Sequence, residues 1–507
     1  MKLFRSLSAV CFFMGAVSCA ALVSRAEVSV PNIFSEHMVL QQKQQNKVWG
    51  KAEPGEKVSV KIDGQTVDTT AGEDGTWSVM LDPLEAGGPH ELVIAGKNTI
   101  TIGDVLVGEV WICSGQSNME WAVNNCFDAD LVKTTANYPN IRMVNFPNTG
   151  SQEPVWTHPD ARWQVCSPST VGSYSAVGYF FGRELEQALD VPIGLINNSW
   201  GGSAADAWVN RELLEASDEY QPSLERWQKM EEQYESLTAK TDLTEEEKKQ
   251  LANFKNHQMK GNQRPGNLYN GILKSHLGYG IQGVIWYQGE SNAGRAYQYR
   301  DLFPLMITNW RNEWKEGDFP FYWVQLADFG AEKPEPSESG WAELREAQTM
   351  TMDKLPNTGE AVIIDVGEGK DIHPRNKVTV GQRLARWALA NQYGKKIATH
   401  SPRFSSMEKQ DGKIILSFDH VDGGWRPFDV NEPIGFTIAG ADKQFVKADA
   451  KILDDGRIEV SSSKVTDPVA VRYAWADNPV CNMYDMVGLP LTPFRTDDWP
   501  GVTVDNH

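Results

Sequence analysis

The chain has 507 residues, of which 41% are hydrophobic and 23% are charged. A length of this size predicts two to four domains, and the composition excludes disorder, collagen and a long coiled coil. The formal net charge of −19 argues against a nucleic-acid partner, because nucleic-acid binding needs a basic surface.

Residues 1–26 predict a secretory signal peptide. Two basic residues precede an apolar run from Leu7 to Val23, and Ser24-Arg25-Ala26 is a small-x-small cleavage site. We therefore expect an exported protein, periplasmic or secreted, with no integral membrane span after removal of the signal. The alternative is a lipoprotein anchored at Cys19, for which the three preceding residues form a poor lipobox.

Residues 27–105 predict a small N-terminal β-sandwich-like domain. Apolar and polar residues alternate in segments such as Val58–Ile62, which indicates strands with one buried face. Turn signals such as Glu53-Pro54-Gly55-Glu56 and Gly72-Glu73-Asp74-Gly75 recur about every ten residues, as is typical of a sandwich of short strands.

Residues 106–400 predict an α/β catalytic domain. Short apolar segments alternate with longer helical ones, and Ser175–Leu189 carries a helical apolar stripe. Such alternation indicates a parallel sheet with helices on both faces. The predicted strands are Val107–Cys113, Val191–Asn197, Gly283–Gln288, Phe321–Leu326 and Ala361–Asp365.

Two further regions complete the predicted organisation. A charged helical insert spans about residues 221–262, where Thr244 and Glu247 form a capping box and the charges indicate a solvated face. Residues 401–507 predict a C-terminal β-rich region. Its strands are expected at Lys413–Phe418, Ile434–Ile438, Ile458–Val460 and Val469–Trp475.

The residues that acyl transfer requires follow four of the predicted strands. In an open parallel sheet, ligands bind beyond the carboxyl ends of the strands. A serine, paired glycines, an amide with a carboxylate, and an Asp-x-His each follow one strand, and together they supply a nucleophile, oxyanion donors and an oriented base. These residues are Ser117, Gly201 and Gly202, Glu290 and Asn292, and Asp371 and His373.

Three motifs give the chain a family resemblance. Gly115-Gln116-Ser117-Asn118-Met119, the segment Trp286–Asn292 and the segment Asp371–Lys377 resemble the sialate O-acetylesterase family of the SGNH hydrolases. The resemblance spans roughly residues 30–500. It implies an SGNH-type parallel sheet flanked by helices, with β-rich regions at both ends. It also implies a serine esterase that removes O-acetyl groups from carbohydrates, most directly from O-acetylated sialic acids, without a cofactor.

The resemblance implies a role for each motif. Ser117 matches the nucleophile and His373 the general base. The oxyanion hole is expected to consist of the Ser117 amide, a glycine amide from Gly201-Gly202 and the side chain of Asn292. Asn198 and Gln288 are the alternatives for that side chain.

The acid of the triad is open at this stage. Asp371 lies two residues before His373, whereas the wider superfamily has a spacing of three. Residues two apart in an extended segment have Cα atoms roughly 6.6 Å apart, so Asp371 reaches the ring only if its loop bends. Glu290 is the second candidate, because it follows a neighbouring strand. A Ser–His dyad without a carboxylate is the third.

Four residues beside the motifs are candidate substrate-binding residues: Gln116, Trp200, Gln288 and Arg295. Arg295 offers a bidentate fork for a carboxylate, with a surface ion pair as the alternative role. Trp200 is expected either to stack on a sugar or to pack in the core. No paired histidine spacing is present, so no metal site is expected. The four cysteines after residue 26 match no zinc pattern: Cys113, Cys126, Cys166 and Cys481.

Two other functions stay open beside sialate deacetylation. The motifs encode deacetylation rather than sugar identity, so acetylated xylan or another plant glycan is an alternative substrate. A non-catalytic glycan-binding protein is the alternative from a different class. The presence of Ser117, His373 and the oxyanion donors favours the enzyme. The sequence does not define an oligomeric state.

Overall fold

The computed structural model describes residues 27–507. The predicted signal peptide, and with it the alternative anchor at Cys19, lies outside the described residues. Within residues 27–507 no helix combines the length and the apolar character needed to cross a bilayer. The described chain forms an N-terminal β unit, a central α/β unit and a C-terminal β unit.

The N-terminal unit consists of short strands with alternating burial. Strand β2 pairs with β5, while β3 pairs with β4 and β6, all antiparallel. In β5 the buried side chains are Trp77, Val79 and Leu81, and the residues between them are exposed. The strands are β1 (Val39–Gln41), β2 (Asn46–Lys51), β3 (Lys57–Ile62), β4 (Gln65–Thr70), β5 (Thr76–Leu81) and β6 (Gly87–Ala95).

Strand β7 (Thr99–Gly115) joins the N-terminal unit to the central one. Its first half pairs with β6, and the residues Leu106–Gly108 also pair with β1. Its second half lies in the middle of the central sheet. Every residue from Val105 to Gly115 is buried, as expected for a strand covered on both faces. The predicted boundary between residues 105 and 106 therefore falls inside one strand.

The central sheet has the order β13-β12-β11-β7-β10-β8-β9. All neighbours are parallel except β9, which is antiparallel to β8. This architecture confirms the predicted α/β fold class with β-rich regions at both ends. Beyond β7, the strands are β8 (Tyr138–Asn145), β9 (Gln164–Cys166), β10 (Ile193–Asn197), β11 (Gly283–Tyr287), β12 (Phe321–Val324) and β13 (Thr358–Ala361).

Helices cover both faces of this sheet. On one face Trp111 of β7 contacts Phe181, and Tyr322 of β12 contacts Trp387. On the other face Trp286 of β11 packs against Trp310. The helices are α1 (Ser117–Glu120), α2 (Ala129–Thr135), α3 (Ala176–Leu189), α4 (Arg211–Glu215), α5 (Gln221–Ala239), α6 (Glu245–Asn253), α7 (Asn267–Gly271), α8 (Ala296–Trp314), α9 (Gly340–Lys354) and α10 (Lys377–Asn391). Phe181 thus belongs to α3, Trp387 to α10 and Trp310 to α8.

The helical insert consists of α5, α6 and a π-helical turn at Phe254–Gln258. The predicted capping box is present, since the Glu247 amide donates to Thr244 Oγ1 and the Thr244 amide donates to the Glu247 carboxylate. A small core of Leu237, Phe254 and Met259 holds the insert together. Most other side chains of the insert are exposed.

The C-terminal unit contains two four-stranded antiparallel sheets, β14-β15-β19-β18 and β17-β16-β20-β21. Their shared core also takes in Val362 and Ile364, which follow β13. The strands are β14 (Arg403–Gln410), β15 (Lys413–Asp419), β16 (Phe436–Ala439), β17 (Val446–Lys447), β18 (Asp449–Ile452), β19 (Ile458–Ser461), β20 (Ala470–Tyr473) and β21 (Phe494–Arg495).

Candidate active site

Ser117 lies where the chain leaves the central strand of the sheet. Strand β7 ends at Gly115, and Ser117 is the first residue of α1. Gly115 has φ +129°, and a Cβ at this position would lie 2.1 Å from the carbonyl oxygen of Tyr287. Only glycine fits this turn. Within residues 27–507 the backbone N–H of Ser117 has no hydrogen-bond acceptor.

His373 contacts the serine directly. Its Nε2 lies 2.8 Å from Ser117 Oγ, which is hydrogen-bond distance. The imidazole also stacks on the Trp121 indole, with ring centroids 4.7 Å apart and an interplanar angle of 13°. The histidine is therefore held in position to accept the hydroxyl proton of Ser117.

Asp371 lies on the other side of His373. Its Oδ1 accepts a hydrogen bond of 2.9 Å from the His373 backbone amide and is 3.4 Å from Nδ1 of the ring. The loop bends at this point, with a bridge between Glu368 and Asp371. This bend brings the carboxylate close to the ring despite the spacing of two residues.

Opposing groups act on the pKa of His373. Partial burial is the largest effect and lowers the pKa below its usual 6.5, because desolvation disfavours the imidazolium. The Asp371 carboxylate raises the pKa, and the nearby Lys377 ammonium lowers it. The net result is a histidine that is neutral, and so able to act as a base, at neutral pH.

Glu290 has a different partner. Its Oε1 accepts a 2.6 Å hydrogen bond from Asn118 Nδ2, whereas its Oε2 is buried and has no hydrogen-bond partner within residues 27–507. Burial raises the pKa of this carboxyl group above its usual value. Among the described hydrogen bonds none joins Glu290 to His373. Of the two candidate acids, the structure brings only Asp371 to the histidine ring.

Asn118 and Lys377 are site residues that the sequence analysis did not single out. Asn118 Nδ2 also donates to the carbonyl oxygen of Ile372, and its Oδ1 accepts a 2.5 Å bond from Lys377 Nζ. Lys377 is fully buried, and burial lowers its pKa to about 7 while the Glu290 carboxylate opposes that shift. Both residues lie inside the recognised motifs, but only long-range contacts show that they join the two halves of the site.

Gly201 lies against the nucleophile. A Cβ at Gly201 would be 3.3 Å from Ser117 Cβ, and its backbone N–H donates a 2.5 Å hydrogen bond to Glu120 Oε2. Gly202 has φ +73°, and its carbonyl oxygen accepts from Ser291 Oγ. The predicted glycine pair is thus placed beside Ser117, with Glu120 as an additional residue that the sequence analysis missed.

The structure places Asn292 in a role other than the expected oxyanion donor. Its Nδ2 donates to Asp206 Oδ2 at 3.0 Å, and its Oδ1 accepts from the Ala205 amide and from Gln288 Nε2. The side chain is only 1% exposed. The amide is engaged because the buried Asp206 and the Ala205 amide need hydrogen-bond partners.

Three of the expected substrate-binding residues are also engaged within the protein. Gln116 Oε1 accepts hydrogen bonds from the Gly289 and Ser291 amides, and the buried Gln288 Oε1 accepts one from Tyr299. Arg295 forms a two-pronged ion pair with Asp206, at 3.0 and 2.9 Å. Its guanidinium therefore binds a carboxylate of the protein itself, which agrees with the ion pair that was the alternative role for Arg295.

Trp200 is the expected substrate-binding residue that lines open space. A cavity of about 700 Å³ lies beside Gly201, between the loop after β8 and the end of the helical insert. Within residues 27–507 no cluster of histidine, cysteine or acidic side chains is suited to hold a metal, and the four cysteines are unbridged. The residues that line the cavity are Asn148, Thr149, Gly150, Ser151, Val155, Trp200, Asn256, His257, Lys260, Gly261 and Asn262.

These side chains form the arrangement of a serine hydrolase: a hydroxyl on an imidazole, a carboxylate behind the imidazole and a free backbone amide at the nucleophile. A family model described as carbohydrate esterase, sialic acid-specific acetylesterase, matches residues 107–244 and 253–390. The chain belongs to this family of carbohydrate esterases and is a carboxylic ester hydrolase.

Individual relatives agree with this membership. The sialate O-acetylesterase of Homo sapiens is 32% identical over 524 residues, which cover 92% of this chain and 93% of the relative. That of Mus musculus is 32% identical over 427 residues, covering 76% and 78%. A crystal structure of a carbohydrate acetylesterase from Xanthomonas citri superposes with a TM-score of 0.80 at 36% identity, covering 93% of this chain and all of that one.

Proposed function

We propose that this esterase removes O-acetyl groups from sialic acids, with Ser117 as its nucleophile. The observation that carries the proposal is the 2.8 Å contact between Ser117 Oγ and His373 Nε2 in a chain of this family. The relatives named sialate O-acetylesterase support the choice of substrate. A substrate carbonyl above Ser117 would meet the nucleophile and a free backbone amide together.

The first chemical step is acylation. Ser117 Oγ attacks the acetyl carbonyl carbon while His373 Nε2 takes the hydroxyl proton. The Asp371 carboxylate stabilises the imidazolium that forms. The tetrahedral intermediate then collapses, the bond between the carbonyl carbon and the sugar oxygen breaks, and His373 gives its proton to the sugar oxygen, which leaves as a hydroxyl group. Acetyl-serine stays on the enzyme.

Developing negative charge on the acetyl oxygen needs preorganised donors. We assign the Ser117 amide as the first donor, because it has no other acceptor within residues 27–507. We assign the Gly201 amide as the second, because Gly201 packs so closely on Ser117 that a Cβ at this glycine would lie 3.3 Å from Ser117 Cβ. Glu120 holds this amide in the free enzyme, so the oxyanion must share or displace that hydrogen bond.

Deacylation repeats the same proton transfers with water. His373 deprotonates a water molecule, which attacks the acetyl carbonyl carbon. Acetate leaves, and Ser117 regains its proton. The steps use side chains and backbone amides of this chain, together with water.

The decisive experiment measures acetate release from p-nitrophenyl acetate, O-acetylated sialic acid and acetylated xylan in parallel. We expect the highest kcat/KM on the sialate. Ser117→Ala should lower kcat by roughly 10³-fold or more on every substrate. The surface variant Ser169→Ala is the matched control and should keep full activity. Retained activity in a folded Ser117→Ala enzyme would disprove the nucleophile, and a preference for xylan would disprove the substrate.

We also propose that residues 1–26 direct export. The support is the basic segment, the apolar run and the cleavage site in the sequence. Expression of the full chain should yield a processed protein whose first residue is Glu27, as N-terminal sequencing would show. A lipidated N-terminus at Cys19 would support the anchored alternative instead.

A further inference from the structure

The cavity beside Gly201 is attached to the catalytic centre by several hydrogen bonds. Trp200 donates its backbone N–H to the carbonyl oxygen of Gly115, two residues before the nucleophile. Asn148 Nδ2 donates to Glu120 Oε1, and Asn262 Nδ2 donates to the carbonyl oxygen of Gly201. Three of the residues that line the cavity, Asn148, Trp200 and Asn262, therefore bind the turn at Gly201 or the residues around Ser117.

The helical insert forms one wall of this cavity. The π-helical turn and the residues after it contribute Asn256, His257, Lys260, Gly261 and Asn262. The opposite wall is the loop after β8, and it packs tightly on the insert, since a Cβ at Gly150 would lie 2.3 Å from the Lys260 carbonyl oxygen. The insert is thus placed to contact whatever part of the substrate extends from the acetyl group.

The charge of the lining is opposite to that of the whole chain. The lining side chains include Lys260 and His257 and no aspartate or glutamate, although the chain carries a net charge of −19. Within residues 27–507 neither Lys260 nor His257 forms an ion pair. The nearest acid in this network, Glu120, uses both carboxylate oxygens on Asn148 and Gly201.

We propose that this cavity binds the acidic sugar ring of the substrate, with Lys260 as the cation that recognises the sugar carboxylate and Trp200 as the surface on which the ring packs. The proposal rests on the proposed function and names the residues that would give it specificity for an anionic sugar. An ammonium group attracts a carboxylate, and an aromatic face suits the apolar side of a sugar ring. Cavity space of about 700 Å³ accommodates a monosaccharide.

A rival cation lies two residues after His373 in the chain. Arg375 follows the His373 loop, is exposed, and forms no ion pair within the described chain. It does not line the cavity. We choose Lys260 because the cavity has room for the ring as well as the charge, and Arg375 serves as the competing variant in the test.

The test is a calorimetric titration of the enzyme with N-acetylneuraminic acid and, in parallel, with its neutral methyl ester. Neither ligand carries an O-acetyl group, so binding is measured independently of catalysis. We expect the wild type to bind the acid about tenfold more tightly than the ester. Lys260→Met should abolish this preference. Lys255→Met, in the neighbouring π-helical turn but outside the cavity, should keep both the wild-type preference and the wild-type kcat for p-nitrophenyl acetate.

Several outcomes would overturn the assignment. Equal binding of acid and ester to the wild type, or no binding of either, would show that the cavity does not recognise the charge. A preference lost in Arg375→Met and kept in Lys260→Met would move the recognition to Arg375. Failure of the proposed function is seen separately, as acetate release that survives Ser117→Ala.

Discussion

The base of the site is a histidine between a carboxylate and an ammonium group. Burial and Lys377 lower the pKa of His373, and Asp371 raises it. A general base works only in its neutral form, so activity is lost as the pH falls through this pKa. The acid limb of the pH profile therefore reports the balance among these groups.

The wild-type profile of kcat/KM for p-nitrophenyl acetate should have an acid limb with its midpoint below pH 6.5. In Asp371→Asn the group that raises the pKa is gone, so the limb should move to lower pH. A limb that moves to higher pH in this variant would show that Asp371 does not act on His373. Initial rates between pH 4 and pH 8 provide the measurement.

The two candidate acids should separate in kcat. Asp371→Asn removes the charge beside the ring and should lower kcat by roughly 10²–10⁴. Glu290→Gln should lower kcat less, because Glu290 contacts Asn118 rather than His373. Both variants keep the shape of the side chain. The reverse order of losses would give the orienting role to Glu290, and small losses in both would indicate a Ser–His dyad.

At the scale of elements, the segment after β11 contains a buried hydrogen-bond network. Gln288 and Asn292 contact each other, and Asn292 also contacts Asp206 and Ala205. This network ties the end of β11 to the turn that follows Gly201 and Gly202. Each member satisfies another buried polar group, so we expect the loss of one member to destabilise the fold.

Asn292→Ala should therefore lower stability more than catalysis. Loss of the side chain leaves Asp206 and the Ala205 amide short of partners, which costs about 1–3 kcal/mol of unfolding free energy. Urea unfolding and kcat, measured on the same preparation, test this. A fall in kcat of roughly 10²–10³ with unchanged stability would restore Asn292 as an oxyanion donor.

The sequence predicted correctly the elements that are marked by a pattern among neighbouring residues. The apolar stripe located α3, and the capping box located the start of α6. Strand β8 was missed, because polar residues interrupt it and its buried Arg142 is satisfied by the distant Asp104. The predicted strand Ala361–Asp365 was displaced: only Ala361 belongs to β13, and the apolar residues that follow enter the C-terminal core.

The candidate site shows the same difference between features that strand order predicts and contacts between residues far apart in the chain. Ser117, Gly201, Asp371 and His373 follow strands, so topology alone predicted that they would meet. The role of Asn292 depends on Asp206, which is 86 residues away in the chain, and no local pattern reports such a contact. The pairing of Arg295 with that aspartate was hidden for the same reason.

At the scale of the whole molecule, the C-terminal unit packs against the central unit and shares hydrogen bonds with it. The buried Arg345 of α9 donates to the carbonyl oxygens of Leu326 and Ala327 in the central unit and of Ala476 and Asp477 in the C-terminal unit. Val362 and Ile364 are buried in the C-terminal core. The two units therefore share both hydrogen bonds and apolar contacts.

A chain that ends at His400 should not yield a soluble esterase. Truncation would expose Val362 and Ile364 and would remove two of the four acceptors of a buried guanidinium, a loss of several kcal/mol. Soluble yield and activity on p-nitrophenyl acetate measure the effect, with the chain from Glu27 to His507 as the control. A soluble, fully active truncated protein would show that the C-terminal unit is dispensable.

Strand β7 belongs to both the N-terminal and the central unit, and this affects how the chain folds during synthesis. All its N-terminal partners precede it in the chain, but β10 begins only at Ile193 and β11 only at Gly283. A ribosome-bound chain can therefore complete the N-terminal unit while the apolar segment from Val110 to Gly115 still lacks its neighbouring strands β10 and β11. Unpaired apolar strands promote aggregation. We expect this segment to be the part of the nascent chain that most depends on chaperone protection, until the ribosome has delivered the second half of the sheet.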